Sequence, residues 1–380
     1  MSDCVIFYND SGAFGGHELT SVHAVKGVME NSDKNVCYIL SKDNRRLQNE
    51  LAKINSNRFS IILIGYSFRV VSFYKNLLFN KWEREIRPIL EQFPLNSIFI
   101  GVQGNIEISS AGLKLARKMG FNTFSFIPLS STFRSNKAKL AWLRDIFTSH
   151  LYKIPHKIIT VSKFIKEDLM KRKHIAEHNI QVVYCAANLE DNLEIHQPTQ
   201  SYKEIRVALV GRVEFKHKNQ LFLVRFARKY LEKLEGYKFY IIGEGGDLGA
   251  LKKEIQAANL ENLLITLPWE TDCEKLYGLF DILVIPSFFE GIPLVLYEAM
   301  YYKKPIIASN IPGHAEMLHA DVLFDINDYE KFYEILTHIN KLYPEAMLMA
   351  NRQRILDHHT IKKFGEKFYK SISGNRHSSI

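Results

Sequence analysis

The sequence predicts an α/β protein made of two doubly wound, parallel-sheet halves. Two observations lead to this class. Short, continuous apolar runs alternate with segments of helical period, and the series occurs twice with one polar stretch between. Continuous apolar runs suit a parallel sheet, because helices cover both of its faces.

The first series opens with the strand Cys4–Asn9 and the turn Ser11-Gly12-Ala13-Phe14-Gly15-Gly16, followed by helical spacing over Glu18–Met29. Val36–Leu40, Ser60–Ile64, Ser97–Val102, Thr123–Ile127 and Lys157–Val161 read as further strands, and Val182–Tyr184 closes the series. Asn188–Tyr202 is polar and carries Pro198, which makes it the linker. The second series has strands Ile205–Val210, ending at Gly211, and Lys238–Ile242, ending at Gly243. Helices Gln220–Lys233 and Asp247–Ala258 follow them, then strands Leu263–Leu267, Ile282–Pro286 and Pro305–Ala308, with a helix Pro293–Tyr302 between the last two. The expected domains are 1–190 and 200–358.

Composition narrows the class. With 46% hydrophobic residues over 380, each half can bury a core. No apolar run nears the ~20 residues of a membrane helix, and Met1–Tyr8 reads as a first strand, not a signal peptide. Cys4, Cys37, Cys185 and Cys273 are widely spaced, so neither a zinc site nor a disulfide framework is expected, and a cytoplasmic location follows. The net charge of +9 is unevenly placed. Residues 1–190 hold 26 Lys and Arg against 16 Asp and Glu, and the remainder hold 24 against 25. A basic first half attracts phosphate-bearing partners, and the plain alternative is a solubilising surface.

The segment with most chemistry is Pro286-Ser287-Phe288-Phe289-Glu290-Gly291-Ile292-Pro293-Leu294-Val295-Leu296-Tyr297-Glu298-Ala299-Met300. A strand ends at Pro286, a loop carries Glu290 and Gly291, and Pro293 suits a first helical turn. The N–H groups of that turn attract phosphate. Glu290 and Glu298 would stand on the order of 10 Å apart along one side, roughly the span from a sugar across a diphosphate to a ribose. Glu298 sits in an apolar run and needs a buried partner. Arg212, at a strand end, is placed to meet a diphosphate, as is Lys218 in the basic loop after it, with Lys216 the second choice. Gly15 and Gly16 let a backbone approach a ligand closely. Gly243-Glu244-Gly245-Gly246-Asp247 departs from a dinucleotide fingerprint at Leu248 and reads as a strand-to-helix turn.

These motifs resemble the retaining GT-B glycosyltransferases of family 4. The Glu290–Glu298 spacing with Gly291, Pro293 and Glu298-Ala299-Met300 is similar to the family's donor signature. Gly15-Gly16-His17-Glu18 is similar to its glycine loop, Ile158–Phe164 to the end of its first domain, and Asn188 to a residue before its linker. Val210-Gly211-Arg212 with Lys218-Asn219-Gln220 resembles its Arg and Lys pair. Many relatives carry a histidine after the strand Ile98–Val102, where this chain has Gln103-Gly104-Asn105, so no such histidine is assigned.

The resemblance implies a GT-B fold whose two Rossmann-like domains face each other across a cleft, with 359–380 returning to the first domain. It implies a retaining transfer from a nucleotide sugar, UDP favoured, to a saccharide or lipid-linked acceptor in bacterial surface polysaccharide synthesis. Glu290, Arg212 and Lys218 would be catalytic, and Gly15, Gly16, Gly291, Ile292, Leu294 and Glu298 would complete the donor site. No metal is expected, there being no D-x-D motif. The rival readings are a GT-B nucleotide-sugar epimerase and a nucleic-acid binder, the latter without a motif to support it. In Tyr66–Leu90, basic Arg69, Lys75, Lys81, Arg84 and Arg87 interleave with Phe68, Phe73, Tyr74, Leu77, Leu78, Phe79 and Trp82. That pattern suits either peripheral contact with an anionic membrane or an ordinary helix packed on its own sheet.

Overall fold

The computed structural model describes residues 3–70, 81–129, 141–187 and 204–374. The chain divides into two units, Met1–Ala186 with Ile361–Ile380, and Ala187–Thr360.

The first unit is a seven-stranded sheet: β1 (Cys4–Asn9), β2 (Asn35–Ser41), β3 (Phe59–Ile64), β4 (Ile98–Val102), β5 (Asn122–Ile127), β6 (Lys157–Thr160) and β7 (Ile180–Val182). The order is β3-β2-β1-β4-β5-β6-β7, with every pairing parallel. All of β1 is buried, as its unbroken apolar run requires. The strand order reverses between β1 and β4, so their C-terminal loops flank the place where such sheets take ligands. The expected strand Val182–Tyr184 lies two residues early, at Ile180–Val182, because Ile180 and Val182 pair with Ile158 and Thr160.

The helix Ile361–Ser373 lies against the helix Gly16–Asn31, and two glycines set the distance. A Cβ on Gly27 would stand 2.2 Å from the Gly365 Cα, and one on Gly365 would stand 2.5 Å from the Gly27 Cα. That closeness lets Phe368 stack on Phe7 of β1 and meet Phe126 of β5 edge-on, with ring centroids 6.1 and 5.7 Å apart.

The second unit repeats the plan with β8 (Ile205–Val210), β9 (Tyr237–Ile242), β10 (Leu264–Leu267), β11 (Ile282–Ile285), β12 (Ile306–Ser309) and β13 (Leu323–Phe324). Its order is β10-β9-β8-β11-β12-β13, again parallel and reversing between β8 and β11. The short β13 is not evident in the sequence, since two residues carry no period. The helix expected over Pro293–Tyr302 spans Leu294–Tyr301, with Pro293 in extended backbone (ψ 139°) as its cap.

Of the basic, aromatic segment Tyr66–Leu90, residues 71–80 lie outside the described residues, as does the Asn188–Tyr202 linker. After them comes the helix Lys81–Leu90, and Trp82, Ile86 and Leu90 are buried in the core beside Ile6, Tyr8 and Ile64. Trp82 is therefore a core residue and does not belong to a lipid-facing surface. The expected cost of Gly27→Ala is about 1–3 kcal/mol, the range for forcing a methyl group into a full contact. Thermal unfolding checks it, and the same substitution at exposed Gly249, where a Cβ meets nothing within 4 Å, is the control.

Candidate functional site

The reversal between β8 and β11 gathers the residues singled out in the sequence. After β8 the chain passes Gly211, at a φ of 148°, and exposed Arg212, then forms the short helix Phe215–Lys218. Lys218-Asn219-Gln220 closes this loop with four contacts. Lys218 Nζ lies 2.5 Å from Glu290 Oε1. Asn219, in left-handed backbone at a φ of 55°, donates from Nδ2 to the Pro286 carbonyl at 3.1 Å. Gln220 donates from Nε2 to the Arg212 carbonyl at 2.8 Å and accepts the Glu214 N–H at 3.2 Å. The spacing from Gly211 allows an extra residue in the loop, and Lys218 is the lysine at the carboxylate, while Lys216 is exposed.

The loop after β11 is tied to that loop by its backbone, the Phe288 N–H donating to the His217 carbonyl at 2.9 Å. The His217 ring stacks on Phe289 at 4.3 Å and 3°, and its Nε2 stands 3.4 Å from Glu290 Oε2. Ser287 Oγ donates to Glu290 Oε1 at 2.8 Å. Only 8% of the Glu290 side chain is exposed. Burial works to raise this carboxyl, but the Lys218 ammonium and the His217 imidazole outweigh it and hold the group well below the usual carboxylate range. Glu290 is ionised at neutral pH, backed by one fixed cation.

A buried polar line stands behind it. Ser309, at the end of β12, donates to the Ser287 carbonyl at 2.6 Å, and His314 Nδ1 lies 2.9 Å from the Ser309 carbonyl. Burial pushes His314 down to about 4, against the pull of Glu290, so it is neutral at pH 7 and Nδ1–H is the donor. Next to it, a Cβ on Gly313 would come within 1.8 Å of the Gly291 carbonyl. Ser287, Ser309 and His314 were missed in the sequence, where a serine or histidine near a strand end carries no signal of its own.

Glu298 is buried in the helix Leu294–Tyr301 and accepts the Tyr277 hydroxyl at 2.8 Å on Oε2. Gly291 and Ile292 are buried in the loop, and Leu294 opens the helix half-exposed. The Gly243–Asp247 turn packs on the Arg212 loop by its backbone. A Cβ on Gly243 would lie 2.1 Å from the Gly211 carbonyl, and one on Gly245 would lie 2.2 Å from the Val213 carbonyl. Its glycines thus have a packing reason. In the first unit, Gly15 donates its N–H to Glu18 Oε2 at 2.8 Å, and Gly16 is exposed where the helix begins.

Residues 191–354 match the family model of glycosyl transferases group 1, the segment that contains this site. The match covers most of the second unit and none of the first. One relative is the Escherichia coli UDP-Gal:alpha-D-GlcNAc-diphosphoundecaprenol alpha-1,3-galactosyltransferase, 26% identical over 63% of this chain and 63% of its own. Another is the Salmonella typhimurium lipopolysaccharide 1,6-galactosyltransferase, 24% identical over 56% of this chain and 61% of its own. The chain thus matches less than two thirds of the length of these curated relatives. The fold matches that of the lipopolysaccharide outer core galactosyltransferase WaaB in its apo form, with a TM-score of 0.68, 19% identity and coverage of 98% and 99% of the two chains. It also matches Anabaena HepE in complex with UDP-glucose, with a TM-score of 0.72, 15% identity and coverage of 98% and 99%. These GT-B neighbours share the plan of two parallel-sheet, Rossmann-like units.

The expected effect of Lys218→Ala is twofold. Turnover falls about a hundredfold, as for loss of one preorganised electrostatic donor, and stability drops by about 3 kcal/mol because Glu290 loses its ammonium partner. Lys216→Ala changes stability by less than about 0.5 kcal/mol. Steady-state kinetics with denaturant unfolding checks both, and the opposite ranking assigns the role to Lys216.

Proposed function

We propose that the protein transfers a sugar from a UDP-sugar to a saccharide or lipid-linked acceptor in the synthesis of a bacterial surface polysaccharide, with retention at the anomeric carbon. The observation that carries the reading is the ionised Glu290 paired with Lys218 where the strand order of the second unit reverses. The E. coli relative is named for UDP-Gal, an undecaprenol-linked acceptor and an alpha-1,3 linkage. Both relatives described above are named as transferases, which favours transfer over the epimerase reading.

The pairing of Lys218 with Glu290 suggests how a donor is taken up. Glu290 and Lys218 satisfy each other's charge. A nucleoside diphosphate offers Lys218 a stronger anion, and the sugar hydroxyls offer Glu290 several donors, so binding parts the pair without leaving either charge bare. Arg212 and Lys218 then stabilise charge growing on the departing diphosphate, while Glu290 faces the oxocarbenium-like sugar. Glu298, already a hydrogen-bond acceptor, takes the ribose hydroxyls. No resident metal is invoked, since cationic side chains carry the neutralisation. The acceptor is membrane-borne in this reading, which the basic excess of residues 1–190 supports through attraction to anionic head groups. The location is then cytoplasmic, at the inner face of the membrane.

In EDTA, UDP is expected to raise the melting temperature more than GDP or ADP, and Glu298→Ala to weaken UDP binding by about 1.5–3 kcal/mol, the worth of a hydrogen bond to a charged group. Unchanged affinity in that variant removes the ribose role, and a shift that appears only with Mg²⁺ or Mn²⁺ removes the metal-free reading. Co-sedimentation with anionic vesicles is expected to fall as salt rises, and indifference to such vesicles at low salt points to a soluble acceptor.

A further inference from the structure

Two donors hold the Glu290 carboxylate, and both fall on one oxygen. Lys218 Nζ and the Ser287 hydroxyl each reach Oε1, at 2.5 and 2.8 Å. Oε2 faces the His217 ring at 3.4 Å, and His217 Nε2 makes no hydrogen bond among the described residues. The lone pairs of Oε2 are therefore the ones a ligand can use.

The two donors differ in freedom. Lys218 carries its charge on a flexible stem, with 18% of the side chain exposed, so it can turn to another anion. Ser287 is fully buried, and its backbone is held on both sides. Asn219 donates to the Pro286 carbonyl before it at 3.1 Å, and the Phe288 N–H after it donates to the His217 carbonyl at 2.9 Å. Its own carbonyl accepts the Ser309 hydroxyl at 2.6 Å. What remains is rotation about one side-chain bond, and among the described residues the acceptor its hydroxyl meets is Glu290 Oε1. A donor set in advance in this way needs no reordering during a reaction.

We propose that Ser287 is a positioning residue, which keeps Glu290 aligned on the donor sugar after Lys218 has turned to the diphosphate; this rests on the function proposed above. Oε1 stays on the serine hydroxyl, and Oε2 receives a hydroxyl of the sugar. Without Ser287, parting the ion pair frees the carboxylate to rotate, and the sugar meets an acceptor with no set direction. A nucleoside diphosphate without its sugar does not engage Glu290 in this scheme, so its binding does not depend on Ser287. The effect of losing the serine hydroxyl is thus specific to the sugar.

The test uses the full-length chain with UDP-galactose, UDP-glucose and UDP-N-acetylglucosamine, in an assay that reads UDP release and needs no acceptor. The UDP-sugar that the wild type cleaves fastest serves as the probe. Ser287→Ala is expected to lower its turnover about tenfold, the order for losing one hydrogen bond to a charged group. Calorimetry is expected to show weaker binding of that UDP-sugar by a similar factor, with UDP affinity unchanged. Ser287→Cys, whose thiol is a weak donor, is expected to fall between Ser287→Ala and the wild type, and it carries the comparison where Ser287→Ala does not fold. Ser309→Ala removes the bond to the Ser287 carbonyl but leaves the serine hydroxyl on Glu290. It is expected to lower the melting temperature without separating the affinity for UDP from that for the UDP-sugar. Near-wild-type turnover and UDP-sugar affinity in Ser287→Ala, equal losses for UDP and the UDP-sugar, or the same sugar-specific loss in Ser309→Ala overturns the role of Ser287 while the transferase reading stands. A wild-type protein that binds UDP but releases none from any of these UDP-sugars overturns that reading and the inference with it.

Discussion

The contact between Lys218 and Glu290 organises the second unit's working end. A carboxylate with 8% of its side chain exposed is costly to keep ionised. It persists because Lys218, His217 and Ser287 converge on it from two loops. Those loops must then hold their register to within hydrogen-bonding distance. Asn219 on the Pro286 carbonyl, Phe288 on the His217 carbonyl and Gln220 on the Arg212 carbonyl supply that register. The line from Ser287 through Ser309 to His314 extends the constraint to the end of β12, so three consecutive strands of the sheet carry one charged group.

Glycine governs how near these loops come. Gly243, Gly245 and Gly313 each stand where a Cβ would meet a backbone carbonyl of a neighbouring loop at 1.8–2.2 Å. These contacts are backbone against backbone, so no side-chain rearrangement relieves a substitution. Gly104 is a different case, since what it makes room for is the His17 side-chain ring. The same residue type thus sets loop spacing in one unit and seats a side chain in the other.

How far the sequence could be read follows from this division. Continuous apolar runs gave most strands to within a residue or two, because burial on both faces leaves no other pattern. Lys218 was legible through its neighbours: asparagine at 219 tolerates left-handed backbone, and Gln220 supplies both an acceptor and a donor to the loop. The need of Glu298 for a partner was also legible, but not that Tyr277 is the partner, since it comes from a helix twenty-one residues earlier. Ser287, Ser309 and His314 were opaque because their roles lie in a relay between strand ends. Trp82 misled because an amphipathic pattern reports two unlike faces without saying whether lipid or sheet covers the apolar one; the core placement of Trp82, Ile86 and Leu90 supplies that answer for the described helix.

The two strand-order reversals are alike in backbone and opposite in charge logic. Between β8 and β11, the Lys218 ammonium holds the Glu290 carboxylate ionised. Between β1 and β4, the buried Glu18 carboxylate lies beside the His17 ring. The sheet plan fixes where each site falls. A few side chains, His17 and Glu18 in one unit and Lys218 and Glu290 in the other, set the local charge at each place, so one sheet plan carries two different local chemistries.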